Sequence, residues 1–106
     1  MKKGWSLVIA AALAATTLPA AFAQSGGAAV YKAKCQMCHG AAGMADSPAG
    51  KAMKVKPITD PEVKKLSEAQ MIAATKNGMG KMKAFKDSLS DAQIKDAVGH
   101  FRTFLK

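Results

Sequence analysis

The sequence predicts an all-α domain: three main helices, a short extra turn, and long loops. Three observations carry this. Ser67 and Ser90 are each followed three residues later by a glutamine, the pattern of a helix-opening capping box. Ile94, Ala97, Val98, Phe101 and Leu105 recur at spacings of 3, 1, 3 and 4, which is one apolar stripe at helical period. Beyond residue 23 there is no run of alternating β-branched residues that would read as a strand.

The first segment, residues 1–23, stands apart. Lys2 and Lys3 precede a 12-residue run of apolar and small residues from Leu7 to Leu18. Pro19 breaks the run, and Ala21-Phe22-Ala23 forms a small-x-small cleavage site. This is the layout of a secretory signal peptide, expected to be cleaved. The run falls short of the ~20 residues a membrane span needs, so no stable insertion is expected after cleavage. The mature domain then covers residues 24–106, a length of 83. Losing Lys2 and Lys3 leaves 14 basic residues against 7 acidic ones, a net charge of +7. The only tryptophan, Trp5, leaves with the signal. A core of this size is thin, and such chains often lean on a metal, disulfides or a cofactor.

The first helix follows Gln24-Ser25-Gly26-Gly27 and carries Val30 and Tyr31 toward Cys35. Between His39 and Asp60 the sequence reads as one long loop rich in Gly, Ala, Pro and Lys. Asp60-Pro61-Glu62 suggests a short turn with proline at its first helical position. The second helix starts at Ser67 and stops at Asn77-Gly78; the third starts at Ser90.

Residues 34–40, KCQMCHG, hold both cysteines and one of the two histidines. Export implies an oxidising compartment, where two cysteines ordinarily pair. A two-residue gap, however, closes almost no loop in the unfolded chain. Zinc wants a second pair of ligands, and His100 stands alone near the end. A thioredoxin-like pair wants a βαβ context that is missing here. Covalent haem attachment fits better. If residues 27–39 are helical, Cys35 and Cys38 sit one turn apart on one face. Their thiols can then reach two neighbouring vinyl groups as thioethers, and His39 can turn its ring to the iron. Cys-x-x-Cys-His is the recognised signature of c-type haem.

On this motif and the helix pattern, the chain resembles the class I c-type cytochromes, the small bacterial monohaem kind, over essentially all of residues 27–105. The resemblance implies a cytochrome c fold wrapped around one haem c, with the iron held by His39 and a methionine. In the family that methionine usually appears as Met-Pro-Ala-Phe before the last helix. Met82-Lys83-Ala84-Phe85 takes those places, with Lys83 where proline is usual. Met82 is therefore the expected sixth ligand and Met79 the runner-up. Both lie in a loop loosened by Gly78 and Gly80, whereas Met71 falls in a helical core pattern and Met37 lies between the cysteines. His100, on the terminal helix, reads as a surface histidine. Pro48 matches in spacing the residue whose carbonyl accepts the proximal imidazole N–H. Gly27 resembles the small residue at the crossing of first and last helices, and Tyr31 the aromatic that meets Phe101. Family members often bind a haem propionate with tryptophan. The mature chain has none, leaving Lys54, Lys56 or backbone donors.

The implied function is a periplasmic, monomeric electron carrier that makes and breaks no substrate bonds. Lys76, Lys81, Lys83 and Lys86 crowd the ligand loop, and Lys34, Lys51, Lys54 and Lys56 lie on or after the attachment motif. A positive face there would dock redox donors and acceptors through an acidic surface. Nucleic acid is disfavoured, since no aromatics interleave the lysines. Two alternatives stand beside this reading. One is a haem enzyme or gas sensor with a weak sixth ligand. The other is a small haem subunit of a larger oxidoreductase.

Overall fold

The computed structural model describes residues 26–105, so the signal peptide expected over residues 1–23 lies outside the described part. The described chain is helical: α1 (Gly26–Lys34), α2 (Gln36–His39), α3 (Pro48–Ala52), α4 (Pro61–Lys64), α5 (Glu68–Asn77) and α6 (Asp91–Arg102), with a closing 3₁₀ turn over Thr103–Leu105. Among the described residues the only extended pairing is an isolated bridge between Met79 and Met82.

The ends of α5 and α6 follow from local chemistry. The Ser67 hydroxyl accepts from Gln70 N while the Gln70 side chain accepts from Ser67 N. Ser90 and Gln93 do the same for α6. Each box satisfies two backbone donors that a helix start otherwise leaves unpaired. At the other end of α5, Gly78 turns the chain out at φ +86.

The expected stripe of α6 is the core. Ile94, Ala97 and Val98 are buried, and Phe101 is partly so. Met71 of α5 joins Phe85, Leu89, Ile94 and Val98 in one buried cluster. Burying each such side chain stabilises the fold by about 1.5–3 kcal/mol relative to exposure. Arg102 fastens the end of α6 to the approach to α5, its Nη1 donating to the Leu66 carbonyl at 2.9 Å.

α1 packs across α6 as the resemblance implies. A Cβ on Gly27 would run into the Asp96 carbonyl, so the two backbones touch where only glycine fits. Tyr31 is 2 % exposed and its ring stacks on Phe101 with centroids 6.0 Å apart.

Two expectations need correction. The segment between His39 and Asp60 is not one loop, because α3 lies inside it. Ser47 caps α3 by accepting from Gly50 N, and Pro48 opens it with a φ already suited to a helix. His100 is not a plain surface residue either. Its ring lies 5.3 Å from Tyr31 and 5.2 Å from Phe104, inside an aromatic cluster between α1 and the chain's end.

Candidate functional site

The attachment motif sits at a break in the first helical stretch. Cys35 leaves helical geometry at φ −119, yet Cys35 N still donates to Tyr31 O at 2.8 Å and His39 N to Cys35 O at 2.9 Å. The turn therefore continues, and Cys35 and Cys38 stay three residues apart on it, with Cys38 N donating to Cys35 O at 3.2 Å. Both are free thiols and half-buried, so no disulfide consumes them. Burial, then the neighbouring Cys38, pushes the Cys35 thiol up to about 11.

His39 follows directly. Burial holds its imidazole below the ordinary histidine range, which leaves a neutral ring with a free nitrogen lone pair. Its Nδ1 is buried and has no hydrogen-bond partner. The ring meets the edge of Phe101 at 5.1 Å, so α6 braces it.

Three neighbours hold the backbone of the motif. The Tyr31 hydroxyl donates to the Gly40 carbonyl at 2.6 Å, in a buried bond. Ala45 N donates to His39 O at 2.7 Å. The Ser47 hydroxyl donates to Met37 O at 2.5 Å. α3 lies so close that a Cβ on Gly50 would overlap the Cys38 carbonyl. These contacts were not read from the sequence. Only the Ser47-Pro48 pair, a cap before an N1 proline, could have signalled α3.

Pro48 is the first residue of α3, and His39 Nδ1 has no hydrogen-bond partner among the described residues.

The second loop lies between α5 and α6. Met79 N donates to Met82 O at 3.0 Å, and Met82 N to Met79 O at 2.9 Å. Gly80 takes φ +59 between them. Met82 packs on the core cluster, whereas Met79 is 59 % exposed. Where the resemblance would place proline, Lys83 sets its ammonium 5.4 Å from the centroid of the Phe85 ring. Phe85 N and Lys86 N then donate to Thr75 O and Lys76 O, tying the loop's exit to α5. Phe101 links the two halves of the site, touching the His39 ring and packing on the same cluster as Met82.

Lys34, Lys51, Lys54, Lys81, Lys83 and Lys86 are exposed. Two other lysines are partly neutralised: Lys56 bridges Glu62 at 2.7 Å, and Lys76 bridges Asp91 at 3.3 Å. Of the two lysines proposed for a propionate, Lys56 is thus already engaged.

The residues fit a covalent haem. They supply two free thiols one turn apart, an adjacent neutral imidazole with an orphaned buried nitrogen, and thioethers on a second loop. They do not fit a zinc cage, since no group of three or more His, Cys, Asp or Glu converges among the described residues. No helix among them is long and apolar enough to cross a membrane.

The comparisons agree with this chemistry. A solved structure titled "KustC0563 c-type cytochrome" superposes with a TM-score of 0.66 at 28 % identity, covering 74 % of this chain and 95 % of its own. No curated protein matches. The family described as "Cytochrome C oxidase, cbb3-type, subunit III" matches residues 22–100. That match spans most of the sequence, and with the helical c-type cytochrome fold it places the chain in that family, to which it belongs, with haem c as its cofactor.

Proposed function

We propose that residues 24–106 form an exported, periplasmic electron carrier, released from a signal peptide at residues 1–23. Cys35 and Cys38 hold the haem c as thioethers, and His39 and Met82 are its axial ligands. The haem supplies a one-electron couple when bound. A thioether opposite an imidazole raises the potential and suits electron transfer. The chain's own work is to hold the imidazole neutral and braced, to present a thioether from the second loop, and to limit water around both. The observation that carries this reading is His39: half-buried with its pKa lowered, orphaned at a buried Nδ1, and one residue beyond a free thiol pair.

The exposed lysines around both loops give the carrier a positive docking face. A partner with acidic residues would meet it faster at low salt, and the advantage would fade as screening grows. Electron-transfer contacts of this kind are small and transient. On this reading the protein makes and breaks no substrate bonds.

A second reading comes from the family description, which names a subunit of an oxidase. The same domain would then stay docked on a larger assembly. Gel filtration of a native extract separates the two, since a free carrier elutes at the size of a small monomer.

The test is a mass and a spectrum on protein matured in a host able to attach haem c. A mass of the chain from residue 24 plus one haem supports the signal cleavage and the attachment. A long-wavelength sulfur–iron band in the oxidised state supports the methionine ligand. Absence of that band together with rapid carbon monoxide binding would instead favour a gas-binding or catalytic haem.

A further inference from the structure

Met79 and Met82 are directly opposed across a two-residue loop, joined by both possible backbone hydrogen bonds. Gly80 has positive φ, and Lys81, between it and Met82, is not among the residues of positive φ. That combination is the II′ turn of a tight hairpin. Side chains of a directly opposed pair leave the ribbon on the same face, with Cβ atoms about 5 Å apart. The two thioethers therefore share one side of the hairpin.

They differ in what they would give up on moving. Met82 packs against the cluster of Met71, Phe85, Leu89, Ile94 and Val98. Met79 is 59 % exposed and loses little packing in any new position. The hairpin is also fixed unevenly. Its exit is tied to α5 through Phe85 and Lys86, while nothing lies within 4 Å of a Cβ built on Gly80 at the tip. A methionine side chain has three rotatable bonds and no branch, so a thioether can cover such a separation by rotamer change and a small tilt of the tip.

We infer that the hairpin carries two interchangeable thioether ligands, Met82 as the resident and Met79 in reserve, so that loss of Met82 leaves the iron with histidine–methionine coordination. This rests on the axial-methionine reading above. It adds that Lys83, standing where proline is usual, leaves the loop free to make the exchange.

The experiment uses the haem-loaded chain with Met82→Leu, Met79→Leu and the double replacement; leucine keeps apolar volume and leaves both hairpin hydrogen bonds intact. The oxidised spectrum reads the sulfur–iron band. The proton spectrum of the reduced protein reads the ring-current-shifted methyl of a ligated methionine. The expected result is that each single variant keeps both signals and the double variant loses both. Carbon monoxide binding should accelerate at least tenfold only in the double variant. Loss of both signals in Met82→Leu alone would overturn the reserve ligand while leaving the axial-methionine reading standing. Loss in Met79→Leu alone would overturn it too, making Met79 the resident. Retention in the double variant would overturn both readings. Haem content per chain and far-UV circular dichroism, measured on each variant, separate a changed ligand from a lost fold. If Met82→Leu fails to fold, Met82→Ala and Met82→Gln read through the same two spectra.

Discussion

Tyr31→Phe removes one oxygen atom and leaves the ring. The ring's packing on Phe101, His100 and Phe104 should therefore persist. What disappears is the buried 2.6 Å bond to the Gly40 carbonyl. Gly40 is itself buried, so water is not at hand to replace the donor. The carbonyl keeps its longer bond from Gly43 N at 3.2 Å, so the loss is that of one net hydrogen bond, about 0.5–1.5 kcal/mol. Burial, then the charges of Cys35 and Asp46, hold the phenol well above its usual range, so the donor is present across working pH. For a domain of this size each kcal/mol moves the melting temperature by about 4–8 °C, which sets an expected drop of at least ~2 °C. The assay is denaturant unfolding of the haem-loaded protein, followed by helix signal and haem absorbance together. The midpoint should fall while the m-value stays unchanged, because the same surface is exposed on unfolding. A loss below about 0.5 kcal/mol would refute the argument that this hydroxyl adds to what Gly43 N already gives the Gly40 carbonyl.

Gly50→Ala tests the contact between α3 and the attachment motif by its sign. Helix propensity alone predicts a gain of up to about 1 kcal/mol. The overlap with the Cys38 and Ala45 carbonyls predicts instead a loss on the order of 1–3 kcal/mol. A lower melting temperature is expected, and a higher one would remove Gly50 from the account. The His39 environment predicts a pH dependence. Its folded pKa lies below its unfolded value of about 6.5, so the unfolded state binds the extra proton. Stability from this group is fully present above that value and declines as pH falls below it toward the folded pKa. Unfolding midpoints measured from pH 8 to pH 5 should be flat at first and then fall; a rise on acidification would contradict a buried neutral imidazole.

Much of the fold was legible because its signals are local. A serine and a glutamine three residues on can satisfy each other without help from the rest of the chain, so Ser67 and Ser90 marked α5 and α6 correctly. The stripe from Ile94 onward named the core for the same reason, since helical period places those residues on one face before any partner is known. α3 was missed because it has one buried residue, Gly50, and that residue is chosen for closeness to Cys38 rather than for an apolar stripe. His100 was misjudged because its neighbours Tyr31 and Phe104 come from both ends of the domain.

By itself the sequence determined the haem chemistry: two thiols and an imidazole within five residues, read from bonds a single turn of chain can make. Tertiary structure decided how that chemistry is held. Tyr31 reaches Gly40, Phe101 braces His39, and Met82 rather than Met79 lies on the core, each through contacts between segments far apart in sequence. Backbone hydrogen bonding and helical period act over three or four residues and so leave a mark in the order of amino acids. Burial and packing act across whatever the folded chain brings together, and no local pattern records them.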